Sequence, residues 1–259
     1  MARALVQLDV RLLGLLLLVG VPLLTVAVQA GVRRLAPTMV AGEHNEVAGF
    51  LIAVVGVVYA VTLAFIVIVT WEGFRDARDI VDREAGSLRS LYQDSQALGE
   101  PTRGRMSDLV IRYGQEVAER EWEAMDDGGS SRAAFDLVGE MFATLGTAAP
   151  ATPTQEVFLA DALVRLNDVT EDRATRITIA EEGPVSILWV AIILGGILTV
   201  GFSLLFGVSN ERLHYVMVGG FAAVLALQIL VILVLSHPFS GDILVTPEPF
   251  EDVVRDFAR

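Results

Sequence analysis

Glu84 raises the first question of chemistry in this chain. Its segment repeats apolar residues at heptad-like spacing (Phe74, Ala77, Val81, Leu88, Leu91), so the carboxylate falls in an otherwise apolar helical seam. A carboxylate in that place can line the vestibule of a pore, or it can be a structural ion-pair partner of Arg83 or Arg176. The same segment carries Arg75, Asp76, Arg78, Asp79, Asp82 and Arg83 in mixed sign. Such a run is ordinarily a solvated helix face with internal pairing. A collar that concentrates ions is the sharper alternative. His44 and His214 stand near the ends of apolar segments, with Glu43 and Glu46 close to the first. They could form a surface metal site, but a histidine at a span end without a ligand is the commoner case, and no metal is assigned. No HExxH, phosphate-loop or GxSxG pattern is present, so no catalytic residue, enzyme activity or cofactor is assigned.

The elements that position these groups follow from hydropathy and charge. A mean hydropathy of +0.56 over 259 residues excludes an ordinary soluble domain and predicts several membrane spans. With no cysteine, disulfides, zinc-thiolate sites and cysteine nucleophiles are excluded. All 19 basic residues are arginine, a bias that points to GC-rich codons and a bacterial source. The net charge of −13 is concentrated in residues 72–184, where 23 acids face 12 arginines. So acidic a surface argues against nucleic acid as a partner.

Four apolar stretches are long enough to cross a bilayer. The first, Leu12–Val32, is flanked by Arg3 and Arg11 before it and Arg33-Arg34 after it. Its rival reading is a cleaved signal peptide, but the apolar run exceeds a usual signal core and the arginine pair fits a retained span. The second, Val47–Trp71, passes without a proline into the charged segment around Glu84. The third is free of charge from Pro184 to Asn210, and the fourth is Tyr215–Leu235. Small residues recur on one face of the second span (Gly49, Ala53, Gly56, Ala60, Ala64) and every four residues along the third (Ala191, Gly195, Thr199, Ser203). Both read as helix-packing faces where another backbone can approach closely. No span holds Asp, Glu, Arg or Lys, which disfavours proton-coupled transport. The polar groups at membrane depth are read as Thr62, Thr70, Thr199, Ser203 and Gln228. Trp71, Trp189 and Tyr215 are placed as interface anchors, and Phe50, Phe65 and Ile66 take lipid contact by default.

Residues 72–183 read as four helices. The first ends at Gly99-Glu100-Pro101. The second covers about Thr102–Met125, with Met106, Leu109, Val110, Tyr113 and Val117 on one side. Ser130 or Ser131 caps the third, which carries Phe135, Val138, Met141, Phe142 and Leu145. Thr152-Pro153-Thr154-Gln155 is a capping box that opens the fourth, with Val157, Phe158, Leu163 and Leu166 leading to Arg173, Arg176 and Ile177. After the fourth span, Thr246-Pro247 precedes a short amphipathic helix with Phe250, Val253, Val254 and Phe257 on one face. Phe239 and Phe250 are expected to dock on the helical insert.

An even number of spans puts both termini and the insert on one side. Arg3, Arg11, Arg75, Arg78, Arg83, Arg89, Arg173 and Arg176 lie there, against Arg33, Arg34 and Arg212 opposite. The positive-inside rule makes that side cytoplasmic.

Three sets of residues then resemble the bacterial bestrophin-like membrane family: Trp71, Ala77-Arg78, Val81, Glu84-Ala85, Leu88 and Leu91-Tyr92 after the second span; Leu166-Asn167-Asp168, Arg173, Arg176-Ile177, Pro184 and Leu188-Trp189 entering the third; and His237-Pro238-Phe239-Ser240-Gly241 with Val245 after the fourth. Bestrophins are pentameric anion channels with a cytoplasmic helical domain and an apolar neck on the second span. The clustered Phe and Ile of that neck have only a loose analogue here, Phe65-Ile66-Val67-Ile68.

The expected fold is an all-α integral membrane protein: four transmembrane helices with a cytoplasmic helical bundle inserted between spans 2 and 3. Residues 1–71 hold spans 1 and 2, 72–183 the bundle, 184–236 spans 3 and 4, and 237–259 the cytoplasmic tail. The expected function is an oligomeric ion channel, pentameric by family analogy, for small anions, in contact with membrane lipid in the bacterial inner membrane. Pore or neck candidates are Thr62, Phe65, Ile66, Thr70 and Glu84. The alternative is a non-conducting sensor or scaffold that acts through the cytoplasmic helices.

Overall fold

A computed structural model describes residues 10–37, 45–181, 186–208, 210–241 and 244–258. Among them there is no strand. The helices are α1 (Val10–Leu15), α2 (Val21–Leu35), α3 (Asn45–Gln96), α4 (Thr102–Glu116), α5 (Trp122–Asp126), α6 (Arg132–Gly146), α7 (Pro153–Glu181), α8 (Ser186–Leu204), α9 (Glu211–Leu235) and α10 (Glu248–Phe257). A π-helical turn, Leu16–Gly20, joins α1 to α2. Pro22 has no N–H to give the carbonyl four residues before it, and a wider turn accommodates the loss. A second π turn, Val117–Glu121, joins α4 to α5.

The chain forms two compact units. The first comprises residues 1–73, 184–237 and 241–243 and contains the apolar helices. Among the described residues four helices are long and apolar enough to cross a membrane: Arg11–Leu35, Asn45–Gln96, Ile187–Leu204 and Glu211–Leu235. α9 lies along α2, with Gly219 against Val26, and also meets α1, with Gly14 against Leu230. His214, Val218, Ala222 and Ala226, four residues apart, form the buried face of α9. Of the small residues on the third span, Gly195 and Thr199 are packed inside this chain. Tyr59 of α3 lies over Gly195 and Gly196 of α8 and donates from its hydroxyl to Ile192 O at 2.7 Å. A Cβ on Gly195 would stand 2.5 Å from two Tyr59 ring carbons, so only glycine fits there. Thr199 is buried and donates back to Gly195 O at 2.7 Å, and Ser203 donates to Val200 O. Ala191 is exposed. On α3 the small face is uncovered: Ala53, Ala60 and Ala64 are exposed, Gly56 has no side chain within reach, and Gly49 has Phe206 as its neighbour.

The second unit comprises residues 74–183, 238–240 and 244–259. Its core joins one face of α3 (Ala77, Val81, Ala85, Leu88, Leu91) to Met106, Leu109, Tyr113, Met141, Leu166 and, from the tail, Phe239, Phe250 and Val253. Two of its helix starts follow the capping rules. Ser131 accepts from Ala134 N at 3.2 Å, and Thr152 accepts from Gln155 N at 3.2 Å. The Gln155 carbonyl returns to Ala151 N, one residue before the usual partner. The second predicted helix is interrupted by the π turn. Two predicted core residues face outward: Phe135, which Arg132 covers at 5.0 Å, and Val157. The amphipathic tail helix docks on this core. Phe257 stacks on Tyr92 at 3.8 Å, and Val254 lies so close to Gly114 that a Cβ there would come within 2.9 Å. Gly241, at φ 87°, occupies the left-handed region that favours glycine.

Candidate functional site

The chemistry-bearing residues of the helical unit converge on one buried network. α3 supplies Glu84, α4 Tyr113, the π turn Glu121, and α7 Arg173 and Arg176. The π turn changes the helical phase so that Glu121, Trp122 and Met125 all face inward. Glu84, Glu121 and Arg176 are each 0 % exposed. Arg176 grips Glu84 with two bonds, Nε to Oε2 at 2.7 Å and Nη2 to Oε1 at 3.0 Å. Its Nη2 also donates to Glu121 Oε1 at 2.8 Å, and Nη1 meets the Met125 sulfur at 2.9 Å. Tyr113 donates to Glu84 Oε1 at 2.6 Å. Arg173 donates to both oxygens of Glu121, at 3.2 and 2.6 Å, and to Ser131 O. Ser131 N closes the set on Glu121 Oε2 at 3.0 Å. The guanidinium of Arg176 lies over Trp122 and Phe250, 5.6 and 5.5 Å from their ring centres, and Phe239 meets Trp122 edge-on.

Two carboxylates face two guanidiniums, so the network is balanced in charge. Burial would lower the Arg176 pKa, but the Glu84 carboxylate outweighs it and raises it. Burial would raise the Glu121 carboxyl, but the charge of Arg176 and the bonds from Arg173 hold it below its ordinary value. The Tyr113 hydroxyl is pushed well above its ordinary value, first by burial and then by the charge on Glu84. The partners hold these groups in fixed charge states: the arrangement is a set of ionic clamps between α3, the α4–α5 turn and α7.

The family-motif residues fall in several places. Glu84, Arg173 and Arg176 meet in this network. Phe239 seals it, and Pro238 O accepts from Val245 N at 2.8 Å. His237 is buried with Nδ1 3.2 Å from Leu233 O. Trp189 packs among the apolar helices, Trp71 is exposed, and Pro184 lies outside the described residues. Arg78 lines a groove of about 550 Å³ with Asp82, Arg89, Thr246, Glu248 and Asp252.

The pore candidates are not gathered into one surface. Phe65 is 63 % exposed on α3, whereas Ile66 is 6 % exposed, packed with Tyr59, Leu63, Ile192 and Ile232. Thr62 and Thr70 return their hydroxyls to Val58 O and Ile66 O, at 2.9 and 2.7 Å. Glu84 takes Arg176 as its ion-pair partner. The Ile66 and Glu84 side chains are therefore withdrawn from any surface of this chain that could face a pore.

Sequence reading missed a second polar cluster, in the first unit. Gln29 and Thr25 of α2 are buried, four residues apart, and their lone polarity in an apolar span was the available signal. Thr25 donates to Val21 O. The Gln29 amide nitrogen is 3.3 Å from His214 Nδ1, which also accepts from Arg33 Nη2 at 2.8 Å. Arg33 pairs with Glu211 at 3.2 Å. Glu43 and His44 lie outside the described residues. Among those described, no group of three His, Asp or Glu side chains is arranged to hold a metal.

A Bestrophin-like domain matches residues 19–250. The chain therefore belongs to the bestrophin-like family, and its four apolar helices make it a membrane protein of that family. Neither curated proteins nor solved structures give a match.

Proposed function

We propose that the chain is one subunit of a homo-oligomeric ion channel in the bacterial inner membrane, passing small anions, and pentameric by analogy with bestrophins. The observation that carries this reading is the uncovered surface of α3. Phe50, Val54, Val57, Val58, Val61, Phe65 and Ile68 are all exposed, and so is most of the small-residue face. In hydrocarbon such a surface meets lipid or further copies of itself, and family membership favours the ring. The second span then supplies the constriction, with Phe65 and Thr62 as its wall. The Thr62 hydroxyl is spent on the backbone, so the wall is apolar and gates by wetting. The arginine bias supports a cytoplasmic side for both termini and the helical unit. No catalytic role is proposed.

A second reading, a non-conducting sensor or scaffold, is favoured by the groove around Arg78, which could seat a ligand or partner on the helical unit.

Current through the purified chain in a planar bilayer under a salt gradient separates the two. Discrete steps with a reversal potential near the anion equilibrium value are expected. Silence from protein shown to be folded and inserted refutes conduction and leaves the second reading.

A further inference from the structure

His214 opens α9 and is buried against α2. Arg33 can only donate, so the 2.8 Å contact to Nδ1 requires that nitrogen to be an acceptor, and the ring is neutral in this state. Nε2 then carries the hydrogen and faces Ser203 O at 3.4 Å. Among the described residues the charged groups at the ring are Arg33 from α2 and Glu211 from α9, with Tyr215 beneath the Arg33 guanidinium at 5.7 Å. From α8 and the segment after it come the carbonyls of Ser203 and Val208, the latter 3.3 Å from Arg33 Nη2. One acceptor in the cluster is unused: Gln29 Oε1 is buried with no hydrogen-bond partner, while the nitrogen of the same amide lies 3.3 Å from Nδ1.

These contacts define two arrangements of one set of atoms. In the first, Nδ1 accepts from Arg33. If a proton from water binds Nδ1, the acceptor becomes a donor and the ring becomes a cation beside the guanidinium. Half a turn of the Gln29 amide then brings Oε1 to the Nδ1–H. Arg33 keeps Glu211 and gives up the ring.

We propose that Gln29, Arg33 and His214 form an acid-operated latch between the first and fourth apolar helices: Arg33 holds the neutral ring, and Gln29 Oε1 takes the protonated one. The latch does not depend on whether the chain conducts. It biases an equilibrium between two packings of α2 on α9 by binding a proton in only one of them.

The absence of cysteine permits a direct test. Spin labels on Leu35→Cys and Val216→Cys, both exposed, report the distance from the end of α2 to the start of α9 in the full chain in lipid nanodiscs. Distances are measured at about pH 7.5 and about pH 4.5, on either side of the ordinary imidazole value of about 6.5. The expected result is a narrow distribution at the higher pH that lengthens or broadens at the lower. His214→Gln should give one distribution at both pH values. Arg33→Met should do the same, because Gln29 then serves the ring in either state. An unchanged distribution in the parent pair overturns the latch. So does an acid response that persists in either variant.

Discussion

Replacing Arg176 by methionine tests whether the buried network holds the helical unit together. The substitution removes three charged bonds, two to Glu84 and one to Glu121. Glu121 keeps Arg173 and the Ser131 amide, but Glu84 keeps only the Tyr113 hydroxyl. Breaking a buried pair so that one charge is stranded costs about 3–5 kcal/mol. That is a large part of the roughly 5–15 kcal/mol that ordinarily separates folded from unfolded. For a unit of this size, it corresponds to a fall in melting temperature of roughly 10–20 °C. Trp122 lies against the Arg176 guanidinium, so its fluorescence in the full chain in nanodiscs follows the transition, with circular dichroism as the second probe. The matching control removes the stranded groups as well: Arg176→Met with Glu84→Leu and Tyr113→Phe should recover more than half of the loss, because an apolar substitute leaves no charge without a partner. A fall of less than about 1 kcal/mol for Arg176→Met refutes the clamp. A triple variant that merely adds the losses of its parts refutes the coupling.

Acid and alkali should each act through one member of the network. The Glu121 carboxyl is held below its ordinary 4.5, so its contribution to stability is complete above that value and is lost as pH falls towards the lower folded value. The melting temperature should be level from neutral pH down to the ordinary value and fall beyond it, and Glu121→Gln should remove that part of the fall. Tyr113 is shifted the other way, so its contribution is complete below its ordinary 10.0 and is lost as pH rises past it. Tyr113→Phe should flatten that alkaline limb, and an unaltered limb would show that other groups control it. Among the apolar helices, Gly195→Leu should cost about 1–3 kcal/mol by driving into Tyr59, whereas Ala191→Leu, on the exposed face, should stay within about 0.5 kcal/mol. Equal detergent melting of the two would refute the Tyr59–Gly195 contact.

Much of the fold was legible because hydropathy and capping are local signals. Uncharged runs marked the apolar helices, and Ser131 and Thr152 marked two helix starts through the bonds that they make. The seam through Ala77, Val81 and Leu88 was legible by period alone, and Glu84 stood out as its single charge. Its partner was a choice between Arg83 and Arg176. Only the fold decides that choice, because it depends on which face α7 turns to α3 across 92 residues of sequence. Glu121 gave only a weak signal, standing four residues after Val117 at the edge of the apolar face but among charged neighbours; Trp122 and Met125 fall away from that face in a regular helix, and the π turn brings them in. Small residues were legible as a packing face but not as a choice of partner. Tyr59 of the same chain covers Gly195 in the ridge on α8, while most of the small face of α3 is left uncovered, although both sets recur at helical steps of three or four in the sequence. Gln29 was passed over because one amide in an apolar run carries no periodicity.

The charge distribution bears on how an acidic chain could pass anions. The acids withdrawn into the network, Glu84 and Glu121, are matched by Arg173 and Arg176, so the burial is neutral. The excess acid of the helical unit is therefore carried outside the network, and Asp76, Asp79 and Asp82 are exposed on α3. They alternate with exposed Arg75, Arg78 and Arg83, which reduces the net field of that face to a small residue of either sign. If α3 is the pore helix, its apolar stretch then presents neither cation nor anion with a fixed charge. Selection would rest on the cost of shedding water, which is lower for large, weakly hydrated anions than for small, strongly hydrated ones. On this reading iodide or nitrate should carry more current than chloride at equal concentration. The reverse order would point to a charged filter in place of an apolar one.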